Sequence, residues 1–229
     1  MSIIENYNRI RSLIDDTALR IGRTPSDIKI VSVSKTFDYT VVQEAIDCGI
    51  SLFGENKIQE AKMKLPLLHG SFIFHMIGHL QSNKAKDAVK MFDLIHSIDK
   101  KETATKIDSE AAKIGKIQRV LVQIKTSDED TKSGISPAEA LDLASHIAGL
   151  KHLKLDGVMS IGPLTDDPGI TRKSFRETAG TLERINRELA LDLAEISMGM
   201  SGDYLTAVEE GSTIVRIGSA IFGTRSVQR

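Results

Sequence analysis

A lysine closes the first β-branched, apolar run of the chain, Ile28-Lys29-Ile30-Val31-Ser32-Val33-Ser34-Lys35. A run this rich in Ile and Val is expected to form a strand buried on both faces, as in parallel sheets. The C-terminal end of such a strand is where α/β barrels place their chemistry. Low-dielectric walls there would desolvate the Lys35 ammonium, lower its proton affinity and leave an amine able to form a Schiff base with an aldehyde. On this stretch alone, the alternative is a solvated lysine that ends a strand.

Two later segments have the composition of anion-binding loops: Ser197-Met198-Gly199-Met200-Ser201-Gly202-Asp203 and Gly218-Ser219-Ala220. Small residues let backbone amides approach a phosphate, and Ser201 and Ser219 add hydroxyl donors. Ordinary turns explain them equally well unless they follow the seventh and eighth strands of a barrel, the usual phosphate corner. Arg216 interrupts Thr213-Ile214-Val215-Arg216-Ile217. It is a buried ion pair, an outward-pointing side chain, or a cation that faces a ring nitrogen and keeps it unprotonated by repulsion. His75 and His79 have a metal-like i, i+4 spacing, but Gly78 lies between them and no H-E-x-x-H pattern is present, so no metal site is expected. Cys48 reads as a structural thiol on a helix, and Met198 and Met200 as packing residues.

Positioning these groups on one face requires alternating strands and helices. Ile3, Tyr7, Ile10, Ile14 and Ile21 predict an amphipathic helix over about 2–21. After the strand that ends on Lys35, Thr40–Gln43 has a capping-box pattern and Gly49 stops the next helix. Strands follow at 51–53, 72–77, 94–98, 120–124, 155–160, 194–198 and 213–217. Helices are expected over about 57–68, from an Asp99 cap to Gly115, from Ser136-Pro137-Ala138-Glu139 to Gly149, and through Phe175, Leu182, Ile185 and Leu189. Eight strands in this alternation predict one (β/α)8 barrel domain over 1–229, with an extra N-terminal helix. An open doubly wound sheet competes, but no G-x-G-x-x-G follows any strand. Lys35, Asn56, His79, Ser97, Lys125, Ser160, Ser201 and Gly218-Ser219 then meet near one mouth.

Composition narrows the function further. The 229 residues suit one barrel of about 250. A net charge of −1, no Trp and 4% aromatic residues give no case for a nucleic-acid partner. The single cysteine forms no intramolecular disulfide and fits a reducing compartment. No signal-peptide pattern or membrane-length apolar run appears, so a soluble, cytoplasmic protein is expected.

Several blocks together resemble one family: Val31-Ser32-Val33-Ser34-Lys35, Phe53-Gly54-Glu55-Asn56, Gln59-Glu60-Ala61, Ile77-Gly78-His79-Leu80-Gln81-Ser82-Asn83-Lys84, His96-Ser97, Lys132-Ser133-Gly134, Ser197–Ser201 and Arg216–Gly223. They are similar to the pyridoxal phosphate homeostasis (YggS-like, proline synthetase co-transcribed) family from about Ile28 to Arg225. The resemblance implies a barrel like the alanine racemase N-terminal domain, with pyridoxal 5′-phosphate (PLP) held as a Schiff base on Lys35. It further implies that Ser201, Gly218 and Ser219 hold the phosphate, Arg216 faces the pyridine nitrogen, and Asn56 and His79 lie around the cofactor. The family consists mostly of monomers without established turnover that buffer PLP or deliver it to apo-enzymes and keep amino-acid pools balanced. Two positions depart from it: Lys125 follows Gln123-Ile124 where Asn is usual, either a transfer site or a solvated cation, and Val158 replaces Leu. The competing function is a PLP-dependent racemase, which needs an acid/base on each face of the substrate. Lys35 could be one, but nothing marks Tyr39 or Tyr204 as the other. A barrel enzyme acting on a sugar phosphate without PLP is a third reading.

Overall fold

Short, mostly apolar runs form eight parallel strands: β1 (Lys29–Val33), β2 (Leu52–Glu55), β3 (Ile73–Met76), β4 (Leu94–Ile98), β5 (Gln118–Ile124), β6 (Leu153–Ser160), β7 (Glu195–Ser197) and β8 (Ile214–Ile217). They close in sequence order, β8 returning to β1 with Val31 opposite Arg216 and Ser32 opposite Ile217. This is a computed structural model, and it describes residues 1–127 and 133–223. Lys132 of the Lys132-Ser133-Gly134 block, and Arg225 at the end of the resembling stretch, lie outside the described residues.

The two-residue period of each strand divides its side chains between two cores. Val31, Val33, Leu94, Leu121, Met159 and Ile214, drawn from five strands, pack together inside the barrel. Phe53, Phe74, Ile95, Val120, Val122 and Val158 face outward onto the helices. The helices are α1 (Ile3–Arg20), α2 (Tyr39–Asp47), α3 (Ile58–Lys64), α4 (Ala85–Met91), α5 (Lys101–Ala112), α6 (Ala140–Ala148), α7 (Pro168–Leu189), α8 (Tyr204–Glu209) and α9 (Ser219–Phe222). α1 starts at a reciprocal Ser2–Glu5 capping box. Its apolar stripe, Ile10, Ile14 and Ala18, buries against Ile28, Ile30, Val215 and Ile217. At roughly 1.5–3 kcal/mol for each large aliphatic side chain fully buried, that stripe fixes the extra helix beside β1 and β8. No described helix is long and apolar enough to cross a membrane.

Several local readings need correction. The cap of α2 is Asp38, whose carboxylate accepts from Thr40 N at 3.0 Å, because the extended backbone at Asp38 aims its side chain at the first free amides. α5 begins after Lys100 with no side-chain cap, and Asp99 is buried beside His79 instead. β1 stops at Val33, two residues before Lys35, because the chain turns there. Cys48 is the exposed C-cap of α2 and not a packed thiol. Met198 is buried as expected, whereas Met200 is exposed.

Candidate functional site

All eight strands run the same way round the barrel, so the segments after their C-terminal ends share one mouth. Lys35 follows β1 in phase with the inward residues Val31 and Val33. It is half-buried, and among the described residues its amine has no carboxylate or hydrogen-bond partner. The turn that carries it includes Thr36 in the left-handed region, φ 68°. Ser34 N donates to Gly54 O at 3.0 Å, tying the turn to β2.

Gly218 follows β8 and lies against β1, with Val33 O within 3.5 Å of where a Cβ would stand. The corner made by β7 and β8 is therefore next to the Lys35 turn. α9 starts at Ser219, so its first amides have no intrahelical acceptor. Ser219 is exposed and Ser201 half-exposed. Gly199 makes this corner possible: φ is 91°, and an added Cβ would come 2.5 Å from Ala207 Cβ.

Arg216 points into the barrel, 5% exposed. Its guanidinium donates to Ser197 O at 2.8 Å, Ser197 Oγ at 2.7 Å and Ser160 O at 2.8 Å. No described carboxylate pairs with it, so it is neither the buried ion pair nor the outward side chain. Burial pushes its pKa down to about 10, against a weaker upward pull from Asp203, and it stays charged at neutral pH. Three of its five N–H groups are used, and two remain.

Behind Arg216 runs a chain of neutral groups missed in the sequence. Ser197 Oγ lies 2.9 Å from His96 Nδ1, and His96 Nε2 lies 3.0 Å from His75 Nδ1. Arginine can only donate, so Ser197 accepts from it and we assign its own proton to His96 Nδ1. His96 is then the Nε2–H tautomer and donates to His75. Burial, then Arg119 and Lys29, pushes His75 down to about 3. Burial, with His75 and Arg216 adding to it, holds His96 well below its ordinary value. His75 reaches a cavity of about 330 Å³ at the opposite end of the barrel, lined also by Lys29, Asp93, Arg119 and Glu195. Its partner is thus His96 and not His79, a pairing across 21 residues that i, i+4 spacing could not reveal.

Asn56 and His79 follow β2 and β3 and adjoin each other. A Cβ on Gly78 would overlap the Asn56 carbonyl, so the two loops touch backbone to backbone. His79 is exposed, with Nδ1 3.7 Å from the buried Asp99 carboxylate. Ser97, another mouth residue, donates to Gly78 O at 2.6 Å. Lys125 lines a separate cleft of about 750 Å³ with Thr126, Ser136 and Lys173, which Lys35, Asn56, His79, Ser201, Arg216 and Ser219 do not line. Tyr39 and Tyr204 begin α2 and α8 and are not in free loops.

The alanine racemase N-terminal domain family matches residues 3–226. A pyridoxal phosphate homeostasis protein of Aquifex aeolicus is 36% identical over 226 residues, 98% of this chain and 99% of the relative. PipY of Synechococcus elongatus, solved with PLP bound, superposes with a TM-score of 0.87 at 32% identity, covering 97% of this chain and all of PipY. An alanine racemase of Clostridium difficile has a TM-score of 0.80 at 19% identity, a likeness of fold, and this chain spans 58% of it.

Proposed function

The chain belongs to the pyridoxal phosphate homeostasis protein family, and from that premise we propose that it captures PLP at the barrel mouth on Lys35, to store and hand on the cofactor without turning over a substrate. The observation that carries this reading is an unpaired, half-buried amine on the same rim as a buried guanidinium that lacks a carboxylate. The residues present fit the group. Ser201, Ser219 and the amides at Gly218-Ser219 would hold the phosphate, with Asn56 and His79 flanking the ring. Arg216 would face the pyridine nitrogen with a donor it still has free, and because it stays charged it would keep that nitrogen unprotonated. When bound, PLP supplies an aldehyde that the Lys35 amine holds as an imine.

The reading without turnover is supported by the placement of Tyr204, a candidate second base, which packs against the cluster between α1 and β8. Racemization needs a second acid/base on the opposite face. Burial raises the Tyr204 phenol pKa, the wrong direction for a base at neutral pH. We further propose that the chain acts as a monomer, meets PLP-dependent apo-enzymes only transiently, and admits free amino acids to its mouth.

Borohydride trapping followed by peptide mass spectrometry tests the assignment. Wild type should carry reduced PLP on Lys35, and Lys35→Ala should carry none while remaining folded, since little apolar burial is lost. An adduct on Lys125 or Lys84 would overturn it. Incubation with L- and D-alanine in deuterated water tests turnover: exchange at Cα should be slow and without inversion. Inversion near roughly 10 s⁻¹, an ordinary enzyme rate, would make the protein a racemase.

A further inference from the structure

The backbone on both sides of Lys35 is tied to one charge cluster, buried at Glu55 and Lys64 and half-buried at Glu60. Glu55, the last residue of β2, is fully buried, and Lys64, the last residue of α3, is 7% exposed. Lys64 Nζ donates to Glu55 Oε1 at 2.7 Å and to the carbonyl of Ser34 at 2.9 Å. Ser34 Oγ donates to the same Glu55 oxygen at 2.8 Å. On the other side of Lys35, Thr36 N donates to Glu60 Oε2 at 2.7 Å, and Glu60 lies 3.6 Å from Lys64.

Stability does not explain this arrangement. A buried ion pair costs desolvation that its attraction seldom exceeds, and replacing both partners with hydrocarbon is often neutral or stabilising. Glu55 illustrates the cost: burial raises its pKa against the pull of Lys64 and Ser34, and its second oxygen is buried without a partner. Thr36 adds more, because a β-branched residue in the left-handed region is strained. Strain and buried charge meet at the two residues that flank Lys35.

We propose that Glu55, Lys64 and Glu60 are positioning residues that preset the Lys35 turn, so that the amine already points into the mouth when an aldehyde arrives. The proposal rests on Lys35 as the attachment point. Imine formation joins the lysine nitrogen to the aldehyde carbon and releases the aldehyde oxygen as water, with no change of oxidation state. Its equilibrium depends on how well the amine is held in place. The phosphate corner, on β7 and β8, shares none of these contacts. The clamp therefore acts chiefly on the covalent part of capture.

Pyridoxine 5′-phosphate, which has an alcohol where PLP has its aldehyde, isolates the non-covalent part. Wild type should bind PLP more tightly than pyridoxine phosphate, and the ratio of the two dissociation constants measures the covalent part. Glu55→Leu combined with Lys64→Met removes the buried pair together, and Glu60 keeps Thr36 N and Lys57 as partners. It should lower that ratio by about tenfold or more and reduce the borohydride-trapped adduct, with pyridoxine phosphate binding unchanged. Glu60→Ala, a milder variant, should lower the ratio too, and adding Thr36→Gly should restore it because glycine adopts the left-handed turn freely. Equal loss of both ligands, or an unchanged ratio in both variants, would overturn the clamp. A wild type with no ratio and no adduct on Lys35 would instead overturn the attachment point itself.

Discussion

Arg216 is a guanidinium held inside a barrel by two carbonyls and a hydroxyl, with no described carboxylate to balance it. Carbonyl acceptors keep the side chain in place without pairing its charge, which Asp203 offsets only weakly from a distance, so its field is available to whatever sits above it. Ser201 and Ser219 differ in kind: they are surface hydroxyls at the adjoining corner, suited to a dianion that arrives from solvent. Ser201→Ala with Ser219→Ala should weaken PLP retention by roughly 1.5–3 kcal/mol for each charge-assisted hydrogen bond lost, and leave pyridoxal retention almost untouched. Dialysis against a competing apo-enzyme measures both, and an equal loss of the two vitamers would place the phosphate elsewhere. The sequence contains Arg216 but not its environment. Whether a strand residue points inward depends on the register with β1 and β7, which the residue types do not state. Glu55 was visible only as part of Phe53-Gly54-Glu55-Asn56, because its partner Lys64 lies a helix away.

Elements were legible where periodicity is strong and illegible where geometry is local. The eight strands follow from short apolar runs, rich in β-branched residues except at β2, whereas α4 and α8 are short helices without a side-chain cap. Asp99 looked like a cap because Asp before a helical pattern usually is one. A buried position next to His79 competes for the same carboxylate. β6 shows a subtler case. Its register against β5 slips between Val120 and Leu121, so that Leu155 and Gly157 take consecutive partners and Asp156 is the extra residue. The bulge turns Asp156 to Arg119 and brings Gly157 against β7, where an added Cβ would overlap Glu195 O. Gly157→Ala should therefore cost about 1–3 kcal/mol or more, and lower the melting temperature by roughly 2–4 °C for each kcal/mol. Calorimetry decides it, and an unchanged melt would mean that β6 and β7 separate without penalty.

For the whole molecule, the chain from Arg216 through Ser197 and His96 to His75 links the two ends of the barrel, and it makes folding depend on pH. Both imidazoles are neutral in the folded protein. Burial is the main cause, and the cations Arg216, Arg119 and Lys29 reinforce it. In the unfolded chain each has an ordinary pKa near 6.5. Below that value the unfolded state takes up protons that the folded state refuses, so stability declines as the pH falls from about 6.5 towards the folded value of about 3 at His75. Each imidazole should remove on the order of 2 kcal/mol between pH 7 and pH 5. Exposed carboxylates titrate mostly below this window and contribute little to the slope. Urea denaturation at a series of pH values gives the measurement. His75→Gln or His96→Gln should each lower stability at pH 7, because one link of the chain is disturbed, but each should also flatten the decline towards pH 5 by about half. A wild type equally stable at pH 7 and pH 5, or variants that keep the full slope, would mean that the folded barrel accepts a proton on this chain. The tautomers assigned between Ser197 and His75 would then be wrong.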